Sequence, residues 1–235
     1  KGLLLLVILS SVSLYAEAIT APGTAIVNTA PASFTLSGAT GTTSSNTVTT
    51  VTTIIHTPSS VALYQFDATA TSAFTTAVVT QHASSGPPGS AFVVSADPVV
   101  PVIGGGSIIL SASDTQPLNE ASLFRTGEPV FVQVDDQDQN LDATVLETVS
   151  VIVTGSTGDE EELILTETTV DSGVFVGYVQ SSSDPVTQYD GLLSLGAETS
   201  VAVQYTDQYD PSDTSTGSTL VDPYGVVFSS FDGTL

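Results

Sequence analysis

The sequence predicts an all-β protein, and three observations carry that expectation. Its apolar residues are dominated by Val, Ile, Leu and Ala and its polar residues by Thr and Ser, a mixture that suits half-buried pleated strands better than helices. These residues come in short runs bounded by Gly, Pro, Asn and Ser, which punctuate strands and turns. In the second half of the chain six or seven such runs recur roughly every 8 to 12 residues, the spacing of an immunoglobulin-like sandwich. With 235 residues, 41% of them hydrophobic, the chain can bury one large core or two ordinary ones. Two tandem immunoglobulin-like sandwiches behind an export signal are expected.

The signal is read from residues 1–18. Lys1 gives a basic start, Leu3 to Leu9 is unbroken apolar sequence, and Ala16-Glu17-Ala18 places small residues where signal peptidase reads them, so cleavage is expected after Ala18. The apolar run is too short for a helix across a bilayer core of ~30 Å, and no span is expected after cleavage. A pilin-type cut after Gly2 is the weaker reading, because Val7 stands where an acidic residue is wanted. A start at Lys1 leads us to expect a trimmed sequence or a fragment, since an initiator Met normally remains before Lys.

A Thr/Val-rich β domain is expected over residues 19–112. Ala25-Ile26-Val27, Ser33-Phe34-Thr35-Leu36 and Thr47 to Ile55 read as strands, separated by Asn28, Pro31, Gly38, Gly41 and Ser44-Ser45-Asn46. Val61 to Phe66 alternates strictly and predicts a half-buried strand. Ala73 to Val79 and Ala91 to Val94 suggest two more, split by a loop from Ser84 to Gly89. The stretch from Asp97 to Gly106 is rich in Pro and Gly, which break strands, and residues 95–125 are read as a linker.

An acidic sandwich is expected over residues 113–228. Val130 to Val134 and Thr148 to Val153 read as strands flanking an acidic loop. Gly155 to Glu162 reads as a turn, with Asp159-Glu160-Glu161-Glu162 as a hairpin tip; Leu163 to Glu167 is a strand, Asp171-Ser172-Gly173 a tight turn, and Val174 to Val179 another strand. Thr199 to Tyr205 and Gly225 to Phe228 complete the set, and residues 229–235 read as the start of a further module or a linker, so the chain is expected to continue past Leu235.

Charge narrows the partners. Lys1 and Arg125 are the only Lys or Arg residues against 25 acidic ones, a formal net charge of −23. Nucleic acid and anionic membrane surfaces are excluded as partners, because both are bound through Lys and Arg. Only Glu17, Asp67 and Asp97 are acidic before residue 111, so the remaining carboxylates crowd the second half and serve either as a solvated surface or as cation ligands. Cys, Met and Trp are absent, which removes disulfides, thiol nucleophiles and thiolate metal sites.

Several segments resemble a known family. Residues 136–140 form D-x-D-x-N, residues 147–153 form E-T-V-x-V-x-V, residues 165–168 are LTET and residues 172–175 are SGVF; this set resembles a recurrent module of large bacterial and archaeal cell-surface proteins. The pieces IVNTAPASFTLSG at 26–38 and SSNTVTT at 44–50 are similar to the conserved surface repeats of such proteins, and VDPYGVVFSSFDGTL at 221–235 resembles a module boundary. The resemblance implies an exported, repetitive, β-rich architecture located at the cell surface or outside the cell. It implies no chemistry.

The foremost candidate site is the loop from Asp135 to Glu147. Asp136, Asp138, Asn140 and Asp142 alternate, and Glu147 falls where a twelve-residue calcium loop begun at Asp136 would place its bidentate carboxylate. Leu141 stands where that loop wants Gly, and strands rather than helices flank it, so a β-type calcium loop and a solvated acidic turn both stay open. Carboxylates about 4 Å apart repel by ~1 kcal/mol even in water, and calcium would relieve that. Asp207, Asp210 and Asp213 recur every third residue near Tyr205 and Tyr209, and Asp171 follows Glu167. They join the same or a second ion site if the loops converge at one end of the sandwich, and otherwise form Asx-turns.

Enzyme signatures are absent. His56 and His82 lie in Thr/Ser-rich stretches without a nearby acid or nucleophile motif, no G-x-S-x-G occurs, and Gly104-Gly105-Gly106 is not followed by the Lys of a phosphate loop. The expected function is therefore a non-catalytic structural or adhesive component of the cell exterior. Its expected partners are copies of itself, neighbouring surface modules, or a glycan or protein receptor. A self-assembling filament or surface-layer subunit, with Thr47 to Ile55 as the strand added to a neighbour, is the first alternative, and a carbohydrate-binding module the second.

Overall fold

The computed structural model describes residues 23–222 apart from 37–38, 54–55, 72, 76–78, 86–90, 103, 112–113 and 122. The expected export signal, the expected strand at 225–228 and residues 229–235 lie outside the described residues. The architecture is all-β, as expected; among the described residues there is one short 3₁₀ turn, Gln137–Gln139, and no helix long and apolar enough to cross a membrane.

Near the N-terminus, β1 (Ala25–Asn28) pairs with β4 (Val48–Val51) and β2 (Pro31–Leu36) with β3 (Ala39–Ser44), both antiparallel. Among the described residues these nested ribbons pair with no other strand. Ile26, Val27, Phe34, Val48 and Val51 are all exposed.

The remaining strands are β5 (Ser60–Phe66), β6 (Ala73–Thr75), β7 (Gln81–Ala83), β8 (Phe92–Val94), β9 (Val99–Pro101), β10 (Ser107–Ile109), β11 (Thr115–Glu120), β12 (Leu123–Phe124), β13 (Pro129–Asp135), β14 (Thr148–Gly155), β15 (Glu160–Glu167), β16 (Val174–Ser182), β17 (Leu192–Ser194), β18 (Ser200–Thr206) and β19 (Thr214–Val221). Thirteen of them form one hydrogen-bonded sheet whose main path runs β12-β19-β18-β14-β15-β16-β13-β5-β11-β6, curling into a half-barrel.

The path turns between β15 and β16. These strands share only two residue pairs, Thr166 with Val176 and Glu167 with Phe175. Beyond them β7 takes the free edge of β15 and β17 takes that of β16. The strands on either side of this parting therefore face one another across a shared core. Val149, Val151, Val153, Leu163, Leu165, Val201, Val203 and Tyr205 come from one side, and Leu63, Val130, Val132, Val134, Phe175 and Val179 from the other. The alternation along β18 is the sequence pattern made visible: Val201, Val203 and Tyr205 are buried, Ala202, Gln204 and Thr206 exposed.

β13 breaks that alternation because both of its faces are covered. Phe131 points away from the main core into a second cluster with Val100, Leu110, Leu118 and Tyr178. The Phe131 and Tyr178 rings sit 5.9 Å apart and tilted by 56°, a favourable edge-to-face approach, and the Tyr178 hydroxyl donates to the Ala96 carbonyl at 3.0 Å. A strand buried on both faces reads as a nearly continuous apolar run, which Val130 to Val134 is.

Three expectations from the sequence are corrected here. The segment 95–125, read as a linker, carries β9 to β12 and contributes Val100, Leu110, Leu118 and Phe124 to the cores; Pro and Gly lower strand propensity locally, but β9, β11 and β12 each carry a buried apolar side chain and buried Leu110 follows β10. The acidic run at 159–162, read as a hairpin tip, lies mostly within β15 and is largely interior: Asp159 and Glu161 are fully buried and Glu162 is 6% exposed, with Asp159 and Glu161 held by the amides of 190, 191 and 194 and Glu162 by the Ser150 hydroxyl on the other face. Hydrogen bonds also cross residue 112, where a domain boundary was expected: β5 pairs with β13 over five residues and β7 with β15.

Phe175 fills the main core at 0% exposure. Phe175→Ala is expected to lower stability by about 3 to 5 kcal/mol, read as a lower midpoint in urea unfolding, whereas Ile26→Ala, at an exposed position, is expected to shift it by no more than about 0.5 kcal/mol.

Candidate metal centre

Strand register decides which loops meet. Asp135 at the end of β13 lies opposite Ser60 at the start of β5 and Val174 at the start of β16. Thr206 at the end of β18 lies opposite Thr214 at the start of β19. The segments 56–59, 136–147, 168–173 and 207–213 therefore gather at one end of the half-barrel.

Carboxylates are buried at this end without Lys or Arg side chains to face them; Arg125, the one Arg or Lys among the described residues, lies 3.6 Å from Glu128. Most are answered by backbone amides instead. Glu167 Oε1 accepts from the amides of Ser172 at 2.6 Å and Gly173 at 2.8 Å. Its turn is built from Asp171 and Gly173 in left-handed conformation, with φ of +66° and +63°, which Asp tolerates and Gly adopts freely. Glu167 Oε2 accepts from the Glu147 amide at 3.4 Å, and Glu147 Oε1 in turn accepts from the amides of Leu141 at 2.7 Å and Asp142 at 2.6 Å. Asp142 closes a local turn by accepting from Thr144, and these bonds hold its carboxyl below the usual range. Asn140 Nδ2 donates to Asp171 Oδ1 at 3.0 Å.

The five residues expected as a linear calcium loop are thus divided. Asp142 and Glu147 hold the turn, and Asn140 holds Asp171. Asp136 and Asp138 instead meet residues from distant segments. Ligand atoms of His56, Asp138 and Asp207 lie within 4.8 Å of one another, and so do those of Asp136, Asp207 and Asp213. Of the Asp207, Asp210 and Asp213 series, Asp207 and Asp213 join these groups. Asp210 sits at the rim, its Oδ2 3.3 Å from His56 Nδ1, and Ser212, followed by His56, lowers its pKa. His56 and Thr57 carry no sequence signal of this role, since only the pairing of β5 with β13 brings them here.

The groups are positioned by neighbours. Asp136 Oδ2 accepts from the Tyr205 hydroxyl at 2.6 Å and its Oδ1 from the Asp138 amide at 3.2 Å. Asp207 Oδ1 accepts from Gln139 Nε2 at 2.6 Å and from the amides of Tyr209 and Asp210. Asp213 accepts from the amide and hydroxyl of Ser59 at 2.8 and 3.1 Å. Asp138 Oδ2 accepts from the Thr57 amide at 3.3 Å. Burial first, then the contact with Asp138 and the charges of Asp138 and Asp207, pushes the Asp136 carboxyl up to about 7 against the opposing bond from Tyr205. Burial and the same carboxylates raise the Tyr205 hydroxyl well above its ordinary value.

The opposite end of the half-barrel has equally buried carboxylates and a different outcome. Asp159 accepts from the amides of Ser194 at 2.6 Å and Glu160 at 3.1 Å, one on each oxygen. Glu161 accepts from Asp190 at 3.0 Å and Gly191 at 2.8 Å, again one on each. At the 136–147 end, Asp138 Oδ1, Asp207 Oδ2, Thr57 Oγ1, Asn140 Oδ1 and Glu147 Oε2 are buried with no hydrogen-bond partner.

Elsewhere, a cavity of about 390 Å³ is lined by Gln65, Phe66, Asp67, Ala68, Leu123, Arg125 and Glu128. Its acidic groups are already engaged, Asp67 by Thr69 and Asn119 and Glu128 by Arg125.

The chain matches no protein-family model and no curated protein sequence.

Glu161 carries a pH dependence. Burial raises its carboxyl to about 7 although two amides act in the opposite direction. The folded state then keeps a proton that the unfolded state releases near pH 4.5, so stability is lost as pH rises through the window from about 4.5 to 7. The melting temperature in EDTA is expected to be higher at pH 5.5 than at pH 8, and Glu161→Gln is expected to flatten that difference. A melting temperature that falls on acidification to pH 5.5 contradicts it.

Proposed function

We propose that the chain is a non-catalytic structural or adhesive module of an extracellular surface protein, built from immunoglobulin-like sandwiches in the manner of the surface-repeat family its motifs resemble. The observation that carries this reading is what the motif residues do. Glu147 of the E-T-V strand, Glu167 of LTET and Ser172 and Gly173 of SGVF form one hydrogen-bonded chain that pins the loops between β13, β14, β15 and β16. Motif carboxylates that bind the chain's own loop amides, as those of Glu147 and Glu167 do, specify shape rather than chemistry. It suits a module repeated along an exterior protein, where the fold itself is the function. On this reading β13 to β19 make the sandwich, and β5 and β7 supply it with strands from the preceding segment.

A second reading has support of its own. β1 and β4 form a ribbon whose apolar residues are all exposed, and residues 23–53 contain no charged side chain. Such an edge invites strand addition by another copy. A carbohydrate-binding role draws less support, because the described cavity offers one aromatic ring, Phe66, and acidic groups already engaged.

Fractionation of the source cells with antibodies against residues 56–222 is expected to place the protein in the envelope or the medium; recovery of the intact protein from cytosol would overturn the proposal. Electron microscopy of the purified protein separates the two readings: isolated particles are expected for a spacer or adhesin, ordered polymers for a self-assembling subunit.

A further inference from the structure

The geometry points to a divalent-cation site, for calcium, centred on Asp207 and completed by Asp136, Asp138, Asp213 and Thr57, which joins the segment preceding β5 to the loops after β13 and β18. It differs from the linear loop that the spacing of Asp136 to Glu147 predicts and shares Asp136 and Asp138 with it. Its ligands come from three segments far apart in sequence.

Distance, burial and unmet valence support it together. Two oxygens bound at ~2.4 Å on opposite sides of one calcium lie about 4.8 Å apart, and the ligand atoms of Asp136, Asp207 and Asp213 all lie within 4.8 Å of one another. Asp207 and Asp136 are each 1% exposed and Asp138 is 9% exposed. Each of Asp207 and Asp138 keeps one buried oxygen without a hydrogen bond, and the buried Thr57 hydroxyl has no partner either. Buried oxygens in that condition cost free energy unless a donor or a cation meets them. At the opposite end of the half-barrel all four oxygens of Asp159 and Glu161 are met by amides. The buried carboxylate oxygens left without a partner among the described residues, on Asp138, Asp207 and Glu147, all lie at the Asp136 end of the half-barrel.

The surrounding bonds have the form of an outer ligand shell. Tyr205 holds Asp136; Gln139 and the amides of Tyr209 and Asp210 all fall on Asp207 Oδ1, leaving Oδ2 open; Ser59 holds Asp213. Oxygen-only ligation by carboxylates and a hydroxyl suits a hard cation. His56, with half its side chain exposed and Nδ1 3.6 Å from Asp138 Oδ2, stands at the rim. It would complete a site for a softer metal such as zinc.

Calorimetric titration of the EDTA-stripped full chain with calcium tests the site. Saturable binding is expected, with a rise in melting temperature of about 5 to 10 °C at 100 times Kd, a change in tyrosine fluorescence, and slowed hydrogen exchange at the Thr57 and Ser59 amides. Asp207→Asn is expected to weaken binding at least tenfold, and Asp213→Asn, at a less buried position, to do the same. Asp142→Asn and His56→Ala are expected to leave it unchanged. Absence of heat and of a thermal shift overturns the site. Loss of calcium binding in Asp142→Asn but not in Asp207→Asn or Asp213→Asn overturns the ligand set. Binding of zinc without calcium, abolished by His56→Ala, overturns the choice of ion.

Discussion

Burial of carboxylates in a chain almost without basic residues is the constraint on which the architecture depends. Asp136, Asp159, Glu161, Glu167 and Asp207 are each no more than 1% exposed, and an unpaired buried charge is among the most destabilising features a fold can carry. The single described Arg is occupied by Glu128. Only N–H and O–H donors remain, and the abundant ones are the backbone amides of loops. Turning a loop so that its amides converge on a carboxylate answers both groups at once: the anion gains charge-assisted bonds, and the loop amides, which have no ladder partner, are satisfied.

The division of labour among carboxylates follows from this. Glu167 takes the turn at 172–173 and reaches the Glu147 amide; Glu147 takes the amides at 141–142; Asp159 and Glu161 do the same for 194 and for 190–191. These loops are extensions of the sheet, held in register by side chains rooted in its strands. Asp138 and Asp207 each keep one buried oxygen without a donor, and with Asp136 they lie where three loops meet. Burial first and neighbouring carboxylates after it raise Asp136, as they raise Asp159 and Glu161 at the opposite end.

The core depends on a second feature, the parting of β15 from β16. A flat sheet of this length would expose one apolar face along its whole extent. By sharing only two residue pairs, the two strands let the sheet fold over, so that Val151, Val203 and Leu165 face Val132, Leu63 and Phe175. Val100 of β9 and Leu110, which follows β10, then cover the outer face of β13. Both solutions remove apolar area from water, the dominant favourable contribution to folding.

The sequence by itself determined the class of structure and most strands of the second half, because period-two alternation in segments such as Val149-Ser150-Val151 and Val201-Ala202-Val203 states directly which side chains face a core. It also determined the acidity, the absence of thiols, and the concentration of oxygen ligands after β13. What alternation does not encode is which strands become neighbours. That decided that β9 to β12 belong to the cores despite their Pro and Gly, that Asp159 to Glu162 are largely interior, and that His56, Thr57, Asp207 and Asp213 meet Asp136 and Asp138 while Asn140, Asp142 and Glu147 serve the loop. Local pattern reports the environment of each side chain along one strand. Long-range pairing, which carries no local signature, selects the partners that convert those side chains into a site.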